Sequence, residues 1–316
     1  MKVWTRKSTL GMSRREWLVE RKSGIGGSDA GAVCGLNPYA GPMSVYRDKT
    51  FPVLTEEDNE AMRQGRDLED YVAERFTEAT GLKVRRSHHM YRSRKHPFMI
   101  ADIDRLIVGE DAGLECKTVN AWQSDKWKDG RIPPHYLIQC QHYMAVTGKA
   151  AWYLAAVILG LSFVYQKIER DERLIENLVC IEKEFWNRHV VPRRMPPPDG
   201  SEICDEVLAE YFLTAKDTKP LPLLGFDERL ERREEILALI EKLETEERKI
   251  CQEIKCYMEG HESAVNDRYH VSWTNVSSTR LDTKRIREEQ PELYQKYGKT
   301  INSRRFSIRA ISQPAG

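Results

Sequence analysis

Ile100-Ala101-Asp102-Ile103-Asp104 is followed, eleven residues after its last aspartate, by Glu115-Cys116-Lys117. The stretch 98–108, with Phe98, Met99, Ile100, Ile103, Leu106, Ile107 and Val108, reads as one strand, and 112–118 reads as the next. The turn signals Gly109-Glu110-Asp111 and Gly113 join them into a hairpin. Side chains two apart on a strand share a face, so Glu115 and Lys117 project together and meet Asp104 across the hairpin. Two carboxylates and an ammonium then converge on one point of an apolar sheet, where charges are costly unless paired or bound to a cation. Hard oxygen donors suit Mg²⁺ or Mn²⁺, and a nearby lysine can orient or deprotonate the water that attacks phosphorus. The plainer alternative is an exposed acid beside a surface Glu–Lys pair. Leu114 before the glutamate and Thr118 after the lysine favour an inward-facing site at a strand end.

Upstream, the spacing predicts helix near 14–21, a Gly-rich turn at 24–31, a short helix near 41–48 and a longer helix from about 57 to 80. Residues 82–92 form a further strand, so that 82–92, 98–108 and 112–118 make a β-meander. A helix begins after Pro133-Pro134 and runs to about Thr147, where Gly148 stops it. Strands over 150–160 and 163–169 and a helix over 171–190 complete an α/β sandwich around a mixed sheet. The Pro-rich stretch 191–200 closes this unit, which gives a catalytic domain over 1–200, a linker over 201–225 and a separate module over 226–316. In that module Leu230, Leu237, Ile240, Leu243, Ile250, Ile254 and Met258 recur at helical spacing, so 226–259 is a long amphipathic helix of coiled-coil type. Strand-like segments over 269–276 and 305–311 flank a short helix near 284–289.

The 316 residues, 40% hydrophobic and 31% charged, suffice for one sizeable core and a smaller appended module. No apolar run reaches membrane-spanning length and residues 1–11 are polar, so a cytoplasmic protein is expected. Seven scattered cysteines without a Cys-x-x-Cys pair argue against a disulfide framework, a zinc ribbon and an iron–sulfur cluster, and read as buried thiols. The net charge of +1 gives no case for a polyanionic partner. Locally, however, Lys83, Arg85, Arg86, Arg92, Arg94 and Lys95 fall between 81 and 100 without an acid, which suits phosphates or simply a solvated face.

Four further motifs extend the pattern. Arg21 lies seven residues before Ser28 in a Gly-rich segment, where arginine offers a fork of donors and the turn exposes backbone N–H groups; a helix cap at Ser28 or Asp29 is the bland alternative. Gly65-Arg66-Asp67-Leu68-Glu69 opens a helix on which Glu69 shares a face with Val72 and Phe76, so Glu69 points inward and Asp70 and Glu74 outward. A pairing of Glu69 with Arg66 or Arg75 is its bland alternative. Gln139 and Tyr143 share a helical face in Gln139-Cys140-Gln141-His142-Tyr143, and Met144-Ala145-Val146-Thr147-Gly148 runs into Ala151-Trp152-Tyr153. With Asp104, Glu115 and Lys117 this set resembles the PD-(D/E)xK nuclease superfamily. Over residues 14–190 it is similar to the lambda exonuclease or YqaJ-type viral recombinase branch.

The resemblance implies a Mg²⁺-dependent 5′–3′ double-strand DNA exonuclease of phage-type recombination, with Mn²⁺ as the other candidate ion. Such an enzyme leaves a 3′ single strand for a single-strand annealing recombinase and forms a ring-shaped trimer around DNA. It implies a two-metal site: Asp104, Glu115 and the backbone carbonyl of Cys116 on one ion, Glu69 and Asp104 on the second, and Lys117 positioning water. Gln139 lies by the active site, Arg21 and Ser28 take the terminal 5′ phosphate, and Tyr143 lies against the substrate. A structure-specific endonuclease or resolvase, and a catalytically idle DNA-binding assembly protein, remain as alternatives. The sequence departs from lambda exonuclease in the basic stretch Arg92 to His96, where that enzyme carries a further acid, and in the added 226–316 module. Val271-Ser272-Trp273 and Arg280-Leu281-Asp282 resemble YqaJ-type tails.

Overall fold

A computed structural model describes residues 2–52, 60–215, 217, 219–299 and 305–308. The chain divides into two compact units, Met1–Phe212 and Leu213–Gly316. The first contains β1 (Trp4–Ser8), α1 (Arg14–Arg21), α2 (Gly27–Val33), α3 (Pro42–Thr50), α4 (Glu60–Asp67) and α5 (Glu69–Thr80). Next come β2 (Val84–Arg86), β3 (His89–Ser93), β4 (Ile100–Asp102), β5 (Arg105–Ile107) and β6 (Ala112–Val119). After 3₁₀ turns over Ala121–Gly130 follow α6 (Pro134–Thr147), β7 (Ala151–Ile158), β8 (Ser162–Glu169), α7 (Glu172–Phe185) and α8 (Glu202–Tyr211).

The strands form two sheets. The larger has the order β2-β5-β6-β7-β8, with β6 and β7 parallel and the other pairs antiparallel. The smaller is antiparallel with the order β1-β3-β4. The expected meander is therefore split between sheets. His88 takes a left-handed conformation (φ 52°) that interrupts the 82–92 strand, and Ile103–Asp104 interrupt the 98–108 strand. Each of these two expected strands thus contributes one piece to each sheet, while 112–118 lies wholly in the larger as β6. β1 has no alternating apolar pattern of its own; it is held by pairing with β3 and by Trp4 packed edge-on to Tyr91, with centroids 4.9 Å apart.

β7 is apolar on both faces because both are covered. Ala151, Tyr153 and Ala155 pack with Leu114, Val72 and Phe76 of α5. Trp152, Leu154 and Ala156 pack on the opposite side with Cys140, Tyr143 and Met144 of α6. A side chain at Gly113 would stand 2.4 Å from the Trp152 ring, so that ring needs a glycine beside it on β6. The helix expected over 57–80 is two helices separated at Leu68, which starts α5 with Glu69 and Asp70 in its first turn; the expected residues 57–59 lie outside the described residues. Residues 202–211, expected within the linker, form α8, whose Cys204 and Val207 pack with Tyr46 and Val45 of α3. The seven cysteines are not all buried: Cys140 and Cys204 are, Cys34, Cys116 and Cys251 are half-buried, and Cys180 and Cys256 are exposed, because the last two lie on the outer faces of helices.

The second unit is built on α9 (Asp227–Met258), followed by the hairpin of β9 (Ser263–Val265) and β10 (His270–Ser272) and by α10 (Thr283–Glu289) and α11 (Pro291–Tyr297). The strand expected over 269–276 is the shorter β10, and α11 has no counterpart in the sequence reading. Residues 305–308 are irregular, and the rest of the final expected strand lies outside the described residues. Among the described residues no helix is long and apolar enough to cross a membrane.

One buried ion pair ties α6 to α7. His142 and Glu182 are both solvent-inaccessible; His142 Nδ1 lies 2.7 Å from Glu182 Oε1, and its Nε2 donates to the Ile100 carbonyl at 2.8 Å. Burial alone would lower the imidazole pKa, but Glu182 and the Ile100 carbonyl outweigh it and hold the pKa above its ordinary value. Burial raises the Glu182 pKa despite His142, so both groups bind their proton more tightly in the fold. A raised folded-state pKa contributes stability that is complete below the unfolded value, about 6.5 for histidine, and is lost as pH rises through the folded value. His142→Gln is therefore expected to cost about 3–5 kcal/mol, as when one member of a buried pair is removed. Thermal unfolding should show the wild-type advantage largest below about pH 6.5 and shrinking toward alkaline pH; a gap independent of pH would refute the charged imidazole.

Candidate active site

The chain leaves the small sheet at Asp102 and enters the large one at Arg105, so Asp104 stands at the crossing. The register Arg105↔Leu114 brings Asp104 alongside Glu115, and the Cys116 N–H donates to Asp104 Oδ2 at 2.7 Å. Along β6, Ala112, Leu114 and Cys116 face α5, which turns Glu115 and Lys117 toward α6. There Lys117 Nζ meets Glu115 Oε1 at 2.5 Å, and Gln139 Nε2 donates to the same oxygen at 2.7 Å and to the Tyr143 hydroxyl at 2.8 Å. Glu115 Oε2 is buried and has no hydrogen-bond partner.

Burial, with Glu115 and Glu69 adding repulsion, pushes the Asp104 pKa well above the carboxylate range. Burial opposes the charge on Lys117, yet the Glu115 carboxylate outweighs it and raises the ammonium pKa. Glu69 faces the same cavity, but its carboxylate pairs with the buried Arg105 guanidinium, which also bonds Asp70 Oδ1 at 2.6 Å and the Asp104 carbonyl at 2.7 Å. Glu69 thus has Arg105 as a partner, and Arg75 pairs instead with Glu78. Among the described residues no three His, Cys, Asp or Glu side chains form a ready metal cage.

A cavity of about 730 Å³ connects these groups with Arg21 and Ser28. Arg21 Nη2 donates to Ser28 Oγ at 2.7 Å and contacts Asp29 Oδ1 at 3.1 Å. The helix cap is made by Asp29, whose Oδ2 accepts from the Gly26 N–H at 2.9 Å, which leaves the Ser28 hydroxyl to Arg21. Trp17 lies against the Arg21 guanidinium at 5.6 Å and donates through Nε1 to Asp102 Oδ2 at 2.7 Å. Arg92 donates to the Ser23 and Pro97 carbonyls, Arg94 to the Trp4 carbonyl, and Arg86 pairs with Asp70, so much of the basic stretch is engaged within the fold.

Reading the residues in order assigned no site role to Trp17, Lys49 or Arg105, offered Asp29 only as a helix cap, and held Asp102 in the acid motif without a role of its own. Two carried a signal: Arg105 interrupts an apolar run, and Lys49 lies three and four residues after Tyr46 and Val45, on their helical face. A charge in such a position needs a buried partner.

α2 approaches α6 closely at Gly27, where an added Cβ would stand 2.5 Å from the Tyr143 ring and 3.0 Å from Gln139 Cγ. Gly27→Ala is expected to displace Tyr143 and Gln139 from Glu115 and to destabilise the fold by about 1–3 kcal/mol, as overpacking does. Denaturant unfolding measures this, and unchanged stability would refute the close contact.

The match to known proteins is extensive in sequence. The family model for the YqaJ-like viral recombinase domain matches residues 16–150. The YqaJ protein of Bacillus subtilis (strain 168) is 39% identical over 307 residues, covering 95% of this chain and 96% of its own. Among solved structures, an alkaline exonuclease (LHK-Exo) from Laribacter hongkongensis is 24% identical with a TM-score of 0.46, covering 55% of this chain and 91% of that one. A phage-related exonuclease from Haemophilus somnus 129PT is 14% identical with a TM-score of 0.38, covering 54% of this chain and 97% of that one. At 39% identity over nearly its whole length, the chain belongs to the YqaJ-like viral recombinase family.

Proposed function

We propose that this protein is a metal-dependent exonuclease that digests one strand of duplex DNA from a 5′ end, leaving a 3′ single strand for an annealing protein. The observation that carries this reading is the unanswered acidity around Glu115. Its Oε2 is buried without a partner, and the neighbouring Asp104 is pressed toward its neutral form by burial and by adjacent carboxylates. A divalent cation answers both, so the residues present fit one. Asp104, Glu115 and the Cys116 carbonyl would hold it, with Glu69 available on the Asp104 side. Bound there, Mg²⁺ or Mn²⁺ would activate water and offset charge on the phosphodiester.

The chain's own groups supply the rest. Lys117, 2.5 Å from Glu115, can donate to the attacking water and keep it on the site's side of the sheet. Gln139 and Tyr143 hold Glu115 in one rotamer, the pre-organisation that hydrolysis needs. Arg21 and Ser28, on the wall of the same cavity, offer charge-assisted bonds to a terminal phosphate and so set which bond reaches the acids. Membership in a recombinase family supports DNA as the substrate.

Glu115→Gln and Lys117→Ala are expected to lower digestion of end-labelled duplex by about 10²-fold or more while the protein stays folded. Calorimetric titration with Mn²⁺ should show heat for wild type and little for Glu115→Gln; equal binding would remove Glu115 from the cation site. A duplex with a 5′ phosphate should be digested about tenfold faster or more than one with a 5′ hydroxyl, the scale of a charge-assisted hydrogen bond, and Arg21→Ala should erase most of that preference. Indifference of the wild type to the 5′ group would remove the phosphate pocket, and cleavage of closed circular duplex would point to an endonuclease instead.

A further inference from the structure

Lys49 lies on the buried face of α3, and its side chain has no solvent exposure. Its ammonium contacts Asp29 Oδ2 at 2.7 Å, Asp48 Oδ2 at 3.0 Å and the Arg21 carbonyl at 3.2 Å. Asp29 therefore stands between two cations, with one oxygen on Lys49 and the Gly26 N–H and the other on Arg21. Burial alone would raise the Asp29 pKa, but Lys49 and Arg21 hold it far below the usual range, so it is a full negative charge. Asp48 is nearly half-exposed and is also paired with Lys22, which leaves it less to give to the buried group.

The charge count has a consequence at the Arg21–Ser28 wall. Arg21 and Asp29 alone would sum to zero, and a neutral pair has little attraction for an incoming phosphate. With Lys49 the three carry a net positive charge, and the only one of the three side chains hydrogen-bonded to Ser28 is Arg21. We infer that Lys49 is the specificity-setting counterion of the terminal-phosphate pocket: it neutralises Asp29 from behind, so that Arg21 keeps its charge for the DNA end. This rests on the pocket reading above. Lys49 does not touch the substrate; it acts through Asp29 as a positioning residue.

The measurement is the ratio of kcat/KM on 5′-phosphorylated to 5′-hydroxyl duplex, for wild type, Lys49→Met, Asp29→Asn and the double variant, with folding checked by thermal unfolding. The ratio should follow the charge count. It should fall about tenfold in Lys49→Met, mainly through a higher KM for phosphorylated ends, and return toward wild type in the double variant. It should rise in Asp29→Asn. Equal losses on both duplexes in Lys49→Met would assign it a purely structural role and overturn the inference, as would a double variant whose ratio stays low. If Lys49→Met does not fold, the other two variants decide: a lowered ratio in either refutes the counterion role. A wild-type ratio near one removes the pocket itself, whereas a high wild-type ratio unmoved by these charges removes only Lys49 from it.

Discussion

A carboxylate buried on the inner face of a sheet has to be answered by something, and the placement of Glu115 governs much of its surroundings. Its position on β6 is fixed by strand parity: the same alternation that packs Leu114 against Phe76 of α5 turns Glu115 toward α6. α6 meets it with Gln139 and β6 meets it with Lys117, both on Oε1. Gln139 is in turn shared with Tyr143, and the Tyr143 ring leaves no room for a side chain at Gly27. A single buried acid thereby constrains a residue on each of three helices and strands. Oε2 stays unanswered by the protein, as does Oε2 of Glu182 in the His142–Glu182 pair; what separates the Glu115 cluster from that pair is the second carboxylate, Asp104, beside it on the wall of a cavity.

Arg105 competes for the same chemistry. Its guanidinium, buried beside Asp104, draws in Glu69 and Asp70 from the first turn of α5 and holds the break between α4 and α5 against β5. Glu69 is therefore poised by an ion pair rather than left free, and whatever it gives to a cation it takes from Arg105. Losing Arg105 would leave Glu69 facing Asp104 without its buried counterion.

The sequence made part of this legible, and the division is physical. Asp104, Glu115 and Lys117 could be placed together because parity and one turn operate over about a dozen residues. α6 was legible at both ends to within a residue or so, since Pro133-Pro134 and Gly148 act locally; Gly148 takes the left-handed conformation its stop requires. The two-sheet arrangement was not legible. It depends on β1 pairing with β3 more than eighty residues away and on a single positive φ at His88, neither of which leaves a local pattern. Arg21 and Ser28 were paired through a family resemblance, but the buried charges behind them, Asp29 and Lys49, belong to different helices and meet only in the folded chain.

The spacing between the two ends of the cavity follows from how few residues connect them. α1 carries Arg21 on one turn and Trp17 on the previous one, and Trp17 is bonded to Asp102 at the end of β4. Two residues later Asp104 accepts the Cys116 N–H and fixes the acid cluster. The arginine wall and the carboxylates are thus indexed to each other through Asp102–Asp104, a segment pinned on one side by the small sheet and on the other by the large one. Behind it, the His142–Glu182 pair holds the Ile100 carbonyl, and Ile100 bonds back to Ile25, next to the loop that leads into α2 and Ser28. A nuclease that measures from a terminal phosphate to the next scissile bond needs those two points held at constant separation, and rigid elements hold such a distance better than loops. The Arg21 guanidinium and the Asp104–Glu115 carboxylates are therefore set by one short run of backbone, and a substitution there acts on both.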